Sequence, residues 1–173
     1  MSAEGRRVLV AGIGNVFLGD DGFGVEVVRR VDSRGLPAGV RVADYGIRGV
    51  HLVYELLDGG TDTLIMVDAV PLEGRAGTLA VLEIGEDDLD GRDDAVTVDA
   101  HGLHPLAVLR MLRRLGGEVG RVLVVGCRPA SVEEGMGLSE PVAAAVDEAV
   151  RLVADLACAE ALGTGRSEER TDA

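Results

Sequence analysis

Two hydrophobic rhythms alternate along the chain. Short runs that are apolar at nearly every position mark strands buried on both faces, and apolar residues recurring every three or four positions mark helices with one buried side. Val8-Leu9-Val10-Ala11 predicts a buried strand over residues 7–11, and Val25, Val28 and Val31 then fall on one side of a helix over 22–31. A second strand is expected over 40–44 and a short helix over 50–57, stopped by Gly59-Gly60. The segment TLIMVD, residues 63–68, is the clearest buried strand. Residues 78–84 alternate, as an edge hairpin partner would, and 86–94 read as an acidic loop. A helix over 105–115 opens on Pro105, which suits the first helical position, and ends at Gly116-Gly117. A strand over 122–125 precedes a long amphipathic helix over 142–162, with Val142, Val146, Val150, Val153 and Leu156 at helical spacing and Ser139 as the expected N-cap.

Strands that alternate with helices build a mainly parallel sheet with helices on both faces. The chain of 173 residues fits one such domain over 1–163, followed by a polar, disordered tail over 164–173. In open α/β sheets, ligands bind beyond the carboxyl ends of the strands. Asp20 and Asp21 follow the first strand, Asp44 and YGIRG the second, and Asp68 ends the third, while His101 precedes the helix that opens at Pro105. Separate stretches of chain thus bring carboxylates and an imidazole towards one rim.

Composition narrows the partners. The formal net charge is −13, which disfavours nucleic acid and anionic membranes. The two cysteines, Cys127 and Cys158, form neither a disulfide framework nor a CxxC metal site, and a reducing, cytoplasmic setting fits them. Gly12, Asn15 and Asp20 interrupt the first apolar run too early for a signal peptide, and no stretch approaches the length of a membrane span.

The first turn, GIGNVFLGDDGFG, carries the chemistry. A glycine-rich turn between strand and helix usually cradles phosphate. Here Phe17 stands where the third glycine of G-x-G-x-x-G belongs, and the adjacent carboxylates Asp20 and Asp21 would repel an anion and welcome a cation. Asp21, Asp68 and His101 form a plausible metal triad: two carboxylates and an imidazole suit a borderline divalent ion and leave positions open for chemistry. Each of these residues also has a purely structural use. Asp20 or Asp21 could cap the following helix, Asp68 could bind the amides of its own loop, and His101 could be a hydrogen-bonded structural group. His104 and Asp99 could cap locally, and Cys127 reads as a packed small hydrophobe. Asp44 keeps a dinucleotide reading open, since an acid roughly 20–25 residues on could take a ribose hydroxyl.

Taken together, GIGNVFLGDDGFG, DYGIRG, IMVDAV, DAHGLHP and VVGCRPASVEEGMGLSEPV, in this order, resemble the hydrogenase maturation proteases over nearly the whole chain. The resemblance implies a twisted five-stranded sheet, mostly parallel with one reversed strand, in a three-layer sandwich; residues 78–84 are the candidate reversed strand. It implies an endopeptidase that removes a C-terminal extension from a nickel–iron hydrogenase large-subunit precursor once nickel is in place. By that resemblance Asp21, Asp68 and His101 are the metal-contacting and catalytic residues, and Gly46 and Gly49 form a glycine loop for substrate recognition. Some members carry glutamate where Asp21 stands, so the reach here is one methylene shorter. His104 and Arg128 receive no role. The nickel would arrive on the precursor, the complex would be a transient one-to-one encounter, and the chain would otherwise be a monomer. The other readings are a nucleotide-binding α/β protein, which NAD or a nucleotide would stabilise, and a non-catalytic nickel-handling chaperone, which would bind metal without cutting.

Overall fold

The computed structural model describes residues 5–89 and 104–163. The expected elements are present, with ends that shift by a few residues. Strand β1 spans Val8–Ile13, β2 Val40–Gly46, β3 Thr63–Ala69, β4 Leu79–Ile84 and β5 Arg121–Cys127. Helix α1 spans Phe23–Arg30, α2 Gly49–Leu57, α4 Pro105–Arg114 and α5 Glu140–Leu162. Two details differ from the sequence expectation. A 3-10 turn, Gly19–Gly22, precedes α1 and takes up Gly22, the first residue expected in the helix. The start of the acidic segment is a short helix, α3, Glu86–Leu89, because the Asp88 carboxylate accepts the Gly85 amide at 2.8 Å and caps that turn. Residues 90–103 and 164–173, which include the rest of that segment and the expected tail, lie outside the described residues.

One five-stranded sheet runs in the order β2-β1-β3-β5-β4. All neighbours are parallel except β4, which lies antiparallel on β5 as the alternating edge pattern of residues 78–84 suggests. Alternate residues of the central strands feed two cores. Val8, Val10, Ile65, Val67, Leu123 and Val125 pack against α1 and α5. Leu9, Ala11, Leu64, Met66, Val122 and Val124 pack against α2 and α4. A strand covered on both faces has no polar side to show, and this is why these runs are continuously apolar.

Helix α1 lies unusually close to the sheet. A Cβ on Gly24 would sit 1.9 Å from the Val67 carbonyl oxygen and 2.6 Å from that of Ile13. Only glycine permits this approach. It brings the start of α1 down onto the carboxyl ends of β1 and β3, where the acids lie. At the opposite end of the sheet, the buried Glu160 of α5 accepts from Thr63 Oγ1 and from Arg121 Nε, both at 3.1 Å. This pair satisfies a buried charge and ties the last turns of α5 to β3 and β5.

Candidate functional site

From β1 the chain crosses to β2 on one side, while β3 pairs on the other. The carboxyl ends of β1 and β3 therefore border a switch point of the topology, where an open α/β sheet leaves a crevice. Gly14 leaves β1 there with φ +136°, a conformation that L side chains rarely adopt. A Cβ on Gly14 would lie 2.0 Å from the Asp21 carbonyl oxygen and 3.4 Å from Asp68 Oδ1. Asp21 and Asp68, 47 residues apart in sequence, thus converge on one glycine.

Local bonds fix each acid. Asp21 Oδ2 accepts the Asn15 amide at 2.8 Å, and Asn15 Oδ1 accepts the Phe17 amide at 2.9 Å, so the turn folds back on itself. Asp68 is buried and its Oδ1 accepts the Ala69 amide at 2.8 Å. Burial first, and then the negative charge of Asp21, push the Asp68 carboxyl well above the usual carboxylate range, against the Ala69 bond. A cation between these groups would remove both penalties.

The glycine loop after β2 reaches the same place. The β1–β2 register slips between Gly12 and Ile13, so that Gly12 faces Asp44 and Ile13 faces Gly46. The Gly14 amide then donates to the Gly46 carbonyl at 2.9 Å. Gly46, with φ +54°, turns the chain towards α2, which begins at the buried Gly49. Between them, the Ile47 side chain is 59% exposed at the rim.

The structure brings Asp21, Asp68 and Gly46 together, with Gly49 at the far end of the same loop. His101 lies outside the described residues, as does Asp99. Among the described residues no group of three His, Cys, Asp or Glu side chains forms a metal cage. Asp44, the candidate ribose acid, is paired with Arg29 at 3.1 Å. Cys127 is fully buried, and its thiol is pushed up to about 11 by burial and by the nearby Asp20 charge, with the Gly77 amide opposing; it is a packed residue and no nucleophile at neutral pH.

Three capping expectations need correction. His104 and Ser139 occupy the N-cap positions of α4 and α5, but neither side chain makes a capping bond. Neither Asp20 nor Asp21 caps α1, where Gly22 stands at that position. Ser139 Oγ donates instead to the buried Asp20 carboxylate, Oδ2, at 2.9 Å. Sequence reasoning also passed over Arg128. Its guanidinium donates to the Leu72 carbonyl, and its backbone pairs with Thr78 and Gly77, which pins the connection that follows Asp68. The arginine by itself carried no signal of this, since its partners are loop carbonyls set by the fold.

Comparison with known proteins identifies the family and the fold. The family model for hydrogenase maturation protease matches residues 25–156. The hydrogenase expression/formation protein HupD of Rhodobacter capsulatus is 35% identical over 84% of this chain and 70% of its own length. The hydrogenase 2 maturation peptidase of Thaumarchaeota archaeon SCGC_AB-539-E09 superposes with a TM-score of 0.64 at 36% identity, covering 92% of this chain and 99% of that one. The hydrogenase maturating endopeptidase HybD of Escherichia coli superposes with a TM-score of 0.68 at 30% identity, covering 85% and 89%. An α/β sheet of this order, with its acids at the switch point and a sequence match over most of its length, belongs to the hydrogenase maturation proteases, a family of endopeptidases.

Proposed function

We propose that this protein cuts a C-terminal extension from a nickel–iron hydrogenase large-subunit precursor, and that it reads the nickel already bound in that precursor. The observation that supports the reading is that the negative charge of Asp21 acts on the buried Asp68 carboxyl at the switch point, where the Asp21 backbone carbonyl and Asp68 Oδ1 both lie against Gly14. Two carboxylates held close together, one of them buried, form a site that a divalent cation stabilises and an anion does not. In this reading Asp21, Asp68 and His101 complete the coordination of the precursor's nickel, and Gly46 and Gly49 leave room for its backbone. Metal loading then gates the cut, because an empty precursor offers nothing for the acids to hold.

Cleavage adds water across one peptide bond: hydroxyl goes to the carbonyl carbon and a proton to the departing amine. The metal can polarise that carbonyl or lower the pKa of a bound water, and a carboxylate of this pair can take the water's proton as general base. We place the reaction in the cytoplasm, where the two free cysteines would stay reduced, and assign a one-to-one encounter of a monomer with its precursor.

The test is a cleavage assay on nickel-loaded precursor, with nickel-free precursor as control. Mass loss at the C-terminus is expected only with nickel. Asp21→Ala, Asp68→Ala and His101→Ala should each slow it by about 100-fold or more, the scale on which metal sites respond to lost support. Full processing by the Asp21 and His101 variants would refute the site. Tight nickel binding with no cleavage of any precursor would favour a chaperone.

A further inference from the structure

Asp20 and Asp21 are neighbours of identical chemistry that the fold sends in different directions. They hold successive positions of the 3-10 turn Gly19–Gly22. With three residues per turn, successive side chains point about 120° apart, so the direction of one sets the direction of the other. Asp21 turns to the Asn15 amide at the crevice. Asp20 is 1% exposed and turns under the segment 130–139, which joins β5 to α5.

The turn does not hold itself in place. Hydrogen-bond geometry in a 3-10 turn is poor, and no side chain caps this one, so its orientation depends on bonds from outside. Asp20 supplies most of them. Its carboxylate accepts the amides of Ala130 at 2.8 Å, Ser131 at 3.2 Å and Ser139 at 2.7 Å, and the Ser139 hydroxyl at 2.9 Å. Bonds to a charged acceptor are stronger than neutral ones, and both oxygens are engaged. The backbone adds two more: the Asp20 amide donates to the Ser131 carbonyl at 3.0 Å and Gly19 to Gly135 at 2.8 Å. Contact is close as well, since a Cβ on Gly19 would lie 3.0 Å from the Ser131 carbonyl oxygen. The turn that carries Asp21 is therefore tied to a segment more than 100 residues away, chiefly through one buried carboxylate.

We propose that Asp20 is a positioning residue for Asp21: by tying the 3-10 turn to segment 130–139, its buried carboxylate sets the direction in which the Asp21 carboxylate meets the crevice. The inference rests on the preceding functional reading, which gives Asp21 its contact with the precursor's nickel. Buried as it is, Asp20 acts only through the turn it holds.

The experiment uses the full chain and two readouts: kcat/KM on nickel-loaded precursor, and hydrogen exchange of single backbone amides by NMR. The Asn15 amide is the reporter, because it is bonded to Asp21 Oδ2 only while Asp21 points as it does here. Asp21→Ala removes that acceptor and sets the full loss of protection. Asp20→Asn keeps the side-chain volume, but whichever way its amide turns, an NH2 faces a backbone N–H. It is expected to lower kcat/KM by about tenfold or more, since small displacements of a reacting group are costly. It should also speed exchange at Asn15 by about tenfold and leave the core amides of Val10 and Ile65 as in the parent protein. A merely structural role would speed exchange at all three amides together, through global opening. Ser139→Ala removes only the hydroxyl bond and should move kcat/KM and Asn15 exchange by about threefold each; Ser139→Thr restores a hydroxyl and should restore both. A folded Asp20→Asn protein with either readout unchanged, or with exchange raised uniformly, overturns the proposal. Where Asp20→Asn does not fold, the Ser139 pair decides: Ser139→Ala equal to the parent, or Ser139→Thr no better than Ser139→Ala, overturns it. In each case an inactive Asp21→Ala protein shows that the functional reading itself still stands. Wild-type processing by Asp21→Ala would overturn both.

Discussion

Tyr45 illustrates how much one side chain at this site's edge depends on its surroundings. It is the extra residue where the β1–β2 register slips, and it enters the core on the α2 side. Its hydroxyl donates to Glu55 of α2, and Arg41 completes the group. Burial, and then the bond to Glu55, push the phenol up to about 12, although Arg41 pulls the other way. A phenol raised in the folded state holds its proton more tightly there than in the unfolded chain. Its contribution to stability is complete below the ordinary tyrosine value of about 10 and fades as pH rises towards 12. In an alkaline absorbance titration, one of the two tyrosines should therefore resist ionisation until about pH 12, and Tyr45→Phe should abolish that step. Both phenols ionising together near pH 10 would contradict the buried pairing. None of this was visible in the residues YGIRG, because the partners Arg41 and Glu55 are supplied by β2 and α2 after they pack. The acids were legible in a different way. Asp21 and Asp68 stood out by their place after apolar runs, whereas the separate duty of Asp20 did not, since two adjacent aspartates look the same on paper.

At the scale of elements, the approach of α1 to the sheet decides where Asp21 stands. The Val67 and Ile13 carbonyl oxygens occupy the space that a Gly24 side chain would need. Gly24→Ala must push α1 outwards or bend β3, and is expected to cost about 1–3 kcal/mol, the range for overpacking a tight contact. Processing should fall with it, since α1 begins one residue after the 3-10 turn that holds Asp21. Gly35→Ala, at a position with nothing within 4 Å, is the matched control and should change stability by less than about 0.5 kcal/mol. Urea titration of the two variants separates them, and equal stabilities would mean that the close packing of α1 is dispensable. The elements themselves were readable because side-chain direction follows backbone period: two for a strand, 3.6 for a helix. Their ends were less so. The 3-10 turn and the α3 cap arise from hydrogen bonds of single carboxylates and amides that no periodicity records.

Over the whole molecule, two cores share one sheet. Val10 and Ile65 face α1 and α5 while their neighbours Leu9 and Leu64 face α2 and α4, so neither core can be lost without exposing the same strands. Unfolding in urea should be a single transition, with far-UV circular dichroism and tyrosine absorbance, which reports the α2 side through Tyr45, coinciding in midpoint. Two separated midpoints would show the faces to be independent. The sequence by itself determined the kinds of element, their order, the apolar strands buried on both faces and the acids at their carboxyl ends, because all of these follow from local periodicity. Only the tertiary structure decided that β1 lies between β2 and β3, that Asp21 and Asp68 meet at Gly14, and that Asp20 is tied to Ser139 from 119 residues away. Strand neighbours and cross-chain hydrogen bonds are settled by which packing buries the most apolar surface without stranding a polar group, a condition on the whole chain at once.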